Sequence, residues 1–130
     1  MRQNFSDGTP YEPIVGFSRA VRAGGHVFVS GTVGWTEELR VPVDADMYEQ
    51  ARLAIRHIER TLARAGATLS DVVRTRIFTT DISRWEDIAR AHREAFGAIG
   101  PAATLVEVSR LASPEMLVEI EADALLASDA

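Results

Sequence analysis

Hydrophobic and polar residues alternate with period two over residues 101–111 and again over 116–124, with the turn-like Ala112-Ser113-Pro114-Glu115 between them. This pattern predicts two strands of one sheet. Along the second run Val118, Ile120, Ala122 and Ala124 point to one face, leaving Glu119, Glu121 and Asp123 together on the other. Upstream, residues 18–23 and 26–33 flank Gly24-Gly25, a two-residue link suited to a tight antiparallel hairpin. Gly31 and Gly34 interrupt the end of the second hairpin strand, where a glycine marks a bulge or the close approach of a ligand or another backbone. Residues 72–80 read as a further strand, with Thr75, Ile77 and Thr79 on one face and Arg74, Arg76, Phe78 and Thr80 on the other.

Two stretches change to helical period. Over residues 46–65, Met47, Ala51, Ala54, Ile55, Ile58, Leu62 and Ala65 share one face; Asp46 and Glu49 have capping-box spacing, and Gly66 is placed to end the helix in a left-handed conformation. The opposite side carries Arg52, Arg56, Arg60 and Arg64, a stripe that reads as a solvated face partly paired with acids, with contact to RNA or an acidic partner as the sharper alternative. Residues 83–97 form the second helix, with Ser83 and Glu86 as a capping box, Gly97 as the stop, and Trp85, Ile88, His92, Ala95 and Phe96 as the buried stripe. His92 on that stripe reads as a hydrogen-bonded core histidine. Residues 1–15, with Asp7-Gly8, Pro10 and Pro13, read as an arm packed on the surface. The element order predicts an α+β domain, two helices covering one face of a mixed sheet. The other face must meet water or a partner. Ile77, Val118 and Ile120 are assigned to it, and self-association follows as the expectation.

The chain has 130 residues, expected as a single domain over 1–130. Its formal charge of -5 argues against a general nucleic-acid binder. Without cysteine there is no disulfide, thiolate nucleophile or zinc-thiolate site, and the histidines lack ligand spacing, so neither metal nor cofactor is expected. With no signal-like segment and no apolar run able to span a bilayer, a cytoplasmic protein without membrane contact is expected.

The three acids of the last strand are the candidate chemistry. They form either a solvated outer face or a set of which one sits in a pocket and handles protons. Pro101-Ala102, Val106-Glu107-Val108, Arg110-Leu111 and Val118-Glu119-Ile120-Glu121-Ala122, with Val27-Phe28-Val29-Ser30-Gly31 and Asp71-Val72-Val73-Arg74-Thr75 upstream, resemble the motifs of the Rid family, the reactive intermediate deaminases, from about Gly16 to Ala124. The resemblance implies a chorismate-mutase-like fold, a homotrimer whose sheets pack around a central core, and a small-molecule pocket at each subunit interface. It also implies hydrolysis of an enamine or imine to a carbonyl compound and ammonia, with Glu119 orienting or deprotonating water and Ser30 and the backbone near Ala103 and Thr104 binding polar atoms. Where imine-hydrolysing members carry a carboxylate-binding arginine this chain has Ala103; Phe17 replaces a pocket tyrosine and Leu105 a frequent cysteine. A neutral or more apolar ligand than a 2-imino acid is therefore expected, lined by Phe17, Trp35 and Leu105. Arg76 is a candidate stand-in for the missing arginine, its plainer role being a surface ion pair. The alternative is a non-catalytic homotrimer that binds a small metabolite in the same pocket. Ribonuclease activity conflicts with the acidic balance and the absence of a histidine pair.

Overall fold

The structure is a computed structural model and describes residues 1–127. Its elements are β1 (Arg2–Phe5), α1 (Tyr11–Val15), β2 (Ala20–Ala23), β3 (His26–Val33), α2 (Met47–Arg64), β4 (Val72–Thr79), α3 (Trp85–Phe96), β5 (Ala102–Glu107) and β6 (Val118–Leu125). The six strands form one sheet in the order β1-β2-β3-β6-β4-β5. Only β4 and β5 run parallel, joined through α3, since a parallel pair needs a crossover rather than a tight turn. The α+β mixed sheet with two main helices on one face is thus the fold the pattern predicts.

The expected hairpin forms, closed by Ala23 opposite His26 across Gly24-Gly25. Residues 2–5 of the expected arm join the sheet as β1, paired antiparallel to β2. The two period-two runs at the C-terminal end are not neighbours, however: β6 inserts between β3 and β4, and β4 separates it from β5. Alternation fixes which face a side chain takes but not which strand lies beside it.

The helix expected over residues 46–65 is α2. The Asp46 side chain accepts a hydrogen bond from the Glu49 amide at 2.9 Å, and Gly66 takes φ +84° after the last turn. Its apolar face is buried as read, together with Gln50, His57 and Thr61. On the arginine side, Arg52 grips Glu49 through two hydrogen bonds of 2.7 and 2.8 Å, and Arg64 reaches Asp7 at 3.2 Å and the Ser6 carbonyl at 2.8 Å, tying the N-terminal segment down. The second helix starts later than read. Asp81, not Ser83, opens it: its carboxylate accepts from the Ser83 amide at 3.0 Å and from the Ser83 hydroxyl at 2.5 Å, which winds residues 82–84 into a 3-10 turn before α3 begins at Trp85. Trp85 is 51% exposed, the buried positions being Ile88, Ala91 and Phe96, and Gly97 keeps a helical φ of -58°.

The core lies between α2, α3 and the sheet, built from Ile58, Leu62, Ile88 and Phe96 against Val27, Ile77, Val118 and Ile120. Each such side chain stabilises by roughly 1.5–3 kcal/mol. This corrects the assignment of faces: Ile77, Val118 and Ile120 look toward the helices. The uncovered face instead carries the acids of β6, Arg76, and the exposed Phe28 (47%) and Val106 (41%). No helix of the described residues is long and apolar enough to cross a membrane.

Candidate functional site

The site is built on an irregularity in β3. Val29 pairs with Ala122 and Thr32 with Ile120, so Ser30 and Gly31 together oppose one residue of β6, the geometry of a β-bulge. The extra residue turns Ser30 so that its hydroxyl donates to the Ser18 carbonyl at 2.6 Å. With that proton committed, Ser30 Oγ faces any ligand as an acceptor. Gly31 lets the Glu119 side chain come close: a Cβ there would lie 2.8 Å from the Glu119 carboxyl carbon. The Glu119 side chain therefore folds over the bulge.

Glu119 is half-buried, and burial raises its carboxyl above the ordinary value; Arg19 opposes the shift and neighbouring Glu121 adds to it. The other two acids of the strand share one cation. Arg76, on the same open face, reaches Glu121 at 3.0 Å and Asp123 at 3.4 Å. That is the ion-pair role, and it leaves Arg76 engaged rather than free to anchor a carboxylate. The trio of acids thus resolves into one carboxyl whose charge is disfavoured by burial and two that share Arg76.

Beside the bulge lies an open cavity of about 400 Å³, walled by Phe17, Ser18, Phe28 and Ser30 with Glu121 and Asp123 at its rim. Phe17 and Ser30 thus share this cavity, whereas Glu119 is not among its lining residues and meets the bulge at Gly31. The residues of β5 lie elsewhere. Ala103 pairs with Thr75 and Leu105 with Ile77, on the helix side of this edge strand, whereas Thr104 pairs with Arg76 on the open side. Leu105 lines a second cavity of about 400 Å³, between α3 and β5, with Ile77, Ile88, His92, Phe96 and Pro101. His92 there shares a 2.9 Å hydrogen bond with Thr75, as a core histidine does, and burial lowers its pKa. Trp35 is partly buried in the loop after β3, its amide bonded to the Val33 carbonyl, and is not among the residues walling either cavity. In one chain Ala103 and Leu105 lie on the opposite face of the sheet from Glu119.

Sequence reading missed Arg19 and the cluster around it. Arg19 is 7% exposed, and its guanidinium donates to the Gly31 carbonyl at 2.5 Å. Around it stand Asp7, Glu12 and His57. His57 is bonded to Asp7 at 2.9 Å, and burial lowers its pKa against the pull of Asp7. Glu12 accepts from the Asp7 amide at 3.0 Å; burial disfavours its charge, yet its hydrogen bonds hold the carboxyl below the ordinary value. The lone signal in sequence was an arginine next to Ala20 at the start of a buried strand.

Comparison with known proteins gives the same family from three directions. Residues 9–126 match the family model described as endoribonuclease L-PSP. A RutC family protein of Pyrococcus abyssi is 35% identical over 118 residues, covering 91% of each chain. The crystal structure of Rv2704 of Mycobacterium tuberculosis, described as a member of the YjgF/YER057c/UK114 family, is 49% identical and superposes with a TM-score of 0.88 over 97% of this chain and all of the other. Escherichia coli TdcF, solved with bound serine, is 27% identical with a TM-score of 0.78 over 85% of this chain and 88% of its own. Motifs, topology and these relatives agree, and the chain belongs to the endoribonuclease L-PSP family, the YjgF/RutC group to which the Rid proteins belong.

Proposed function

We propose that the protein is a hydrolytic deaminase of the Rid type, converting a small enamine or imine and water to a carbonyl compound and ammonia. The observation that carries this reading is the Glu119 carboxyl, half-buried over the Ser30–Gly31 bulge and raised in pKa by burial, the setting in which a carboxylate becomes an effective base near neutral pH. In the reaction Glu119 takes a proton from water as the oxygen adds to the imine carbon. It returns that proton to the nitrogen to give the carbinolamine; it then takes the hydroxyl proton and passes it to the same nitrogen, so that the C–N bond breaks with release of ammonia as the carbonyl forms. Ser30 Oγ, its own hydrogen bonded to Ser18, accepts from the substrate N–H.

The working unit is a homotrimer. Glu119 and Ser30 lie by the open face, whereas Ala103 and Leu105 lie on the helix side of edge strand β5. One cleft holds both groups when the β5 edge of one copy meets the open face of the next, covering Phe28 and Val106. With Arg76 engaged by two acids and Ala103 and Leu105 apolar, the substrate is neutral rather than a 2-imino acid, with Phe17 and Leu105 lining it and the backbone at Ala103 and Thr104 holding its polar atoms. The acidic balance of the chain supports a metabolite over RNA as substrate.

The same Ala103 and Leu105 favour a second reading, a non-catalytic trimer that binds a small metabolite; the serine bound to TdcF supports occupancy of such a pocket by a small molecule. Ammonia release separates the two. Imines and enamines generated in place by amino-acid oxidases or lyases are supplied to the parent, Glu119→Gln and Ala103→Arg proteins. A deaminase releases ammonia above the spontaneous rate, and Glu119→Gln brings it back to that rate. Silence from the parent, with activity only in Ala103→Arg, removes the deaminase reading and leaves the binder as the one to pursue.

A further inference from the structure

Arg19 holds the bulge at both ends. Its carbonyl accepts from the Ser30 amide at 3.0 Å, its guanidinium donates to the Gly31 carbonyl at 2.5 Å, and its own amide donates to the Phe5 carbonyl at 2.8 Å. The residue before it, Ser18, receives the Ser30 hydroxyl. Arg19 is buried, and its Nε has no hydrogen-bond partner among the described residues. A buried guanidinium keeps its charge. A buried cation with an unused donor is expensive unless its field is used. The charged groups within its reach are Asp7 and Glu12 from the N-terminal segment, His57 from α2 and Glu119 from β6, while Glu121 on β6 is paired to Arg76 of β4.

We infer that Arg19 is the positioning residue of the Glu119 site: it clamps the Ser30–Gly31 bulge over which the Glu119 carboxyl folds, and it sets a buried positive charge within Coulombic reach of that carboxyl. This rests on the deaminase reading and assigns the site a cation on the β2–β3 side instead of at position 103. Glu119 is pulled two ways, burial favouring its neutral form and Arg19 its carboxylate. Removing the charge moves Glu119 further up, so the base form is reached only at higher pH.

The test uses the full-length protein with 13C-labelled glutamate carboxyls, Glu119 assigned through Glu119→Gln, titrated beside pH profiles of turnover. In Arg19→Gln, which keeps an amide donor for Gly31 but no charge, the Glu119 midpoint and the acid limb of kcat both move to higher pH, with the rate recovered on the alkaline side. Arg19→Lys keeps both near the parent positions. An unmoved Glu119 midpoint in folded Arg19→Gln overturns the inference, as does a loss of kcat equal at every pH. If Arg19→Gln does not fold, the Arg19 Nε resonance of the parent is followed instead: it steps with the Glu119 titration and loses that step in Glu119→Gln, and a parent with no step overturns the inference. Coupling without turnover on any imine supports the Arg19 assignment while refuting the deaminase reading; turnover without coupling does the reverse.

Discussion

A carboxyl held partly out of water beside another acid works against the fold that carries it. Glu119 has its pKa raised by burial, so the native state keeps a proton at pH values where the unfolded chain has lost it. Stability from this group is present below the ordinary glutamate value, falls as pH rises through the raised one, and stays lower above it. Glu119→Gln should therefore raise the melting temperature at neutral pH and lose that advantage in acid. Thermal unfolding at both pH values checks this, and the sign is opposite to that for a substitution that only removes packing. His57 has the reverse linkage. Burial lowers its folded pKa, so the stability it contributes is present above the ordinary histidine value and is lost as pH falls below it. Acid weakens the hold of α2 on the N-terminal segment for that reason. Glu119 was legible from its place on the alternating β6, but Arg19 was not: a period-two pattern marks which side chains are apolar and is silent about a charged one buried by its neighbours.

At the scale of elements, the glycines and caps read from sequence have measurable weight. A Cβ on Gly34 would come within 2.7 Å of the Gln50 Cα and carbonyl oxygen, so Gly34→Ala must push the end of β3 off α2 and should destabilise by about 1–3 kcal/mol in denaturant unfolding. Asp46→Ala removes the bond to the Glu49 amide and should lower stability by about 1 kcal/mol in the same assay. Both features were visible beforehand, because Gly34 broke a strand pattern and Asp46 preceded a clean helical stripe. The start of α3 was not, because Ser83 and Asp81 compete for the same turn and sequence gives no means of ranking them. The pairing of β6 between β3 and β4 was equally hidden; strand neighbours depend on tertiary packing rather than on any local pattern.

For the whole molecule, the open face of the sheet is where the proposed trimer is tested. Phe28 and Val106 leave apolar surface beside Arg76 and the β6 acids, and a trimer in solution follows if the β5 edge covers it. Phe28→Asp should lower the mass seen by light scattering toward that of one chain, while a surface change such as Glu59→Gln on α2 should leave it unaltered. A chain that remains a monomer in the parent protein removes the intersubunit cleft and with it the role of Ala103 and Leu105. The family fold was legible from motifs along most of the chain; the face that the helices cover was not, because Ile77, Val118 and Ile120 alternate as well for one side of the sheet as for the other.

β6, the last strand of the described residues, is a central strand of the sheet, and this bears on how the sheet is completed. Until β6 emerges from the ribosome, β3 and β4 have no partner between them and the two parts of the sheet are held apart as separate hairpin and βαβ pieces. The sheet therefore closes only once β6 is available, and a stop codon placed between residues 107 and 118 yields a product in which β3 and β4 each expose an edge, a substrate for proteolysis and aggregation rather than a smaller version of the protein.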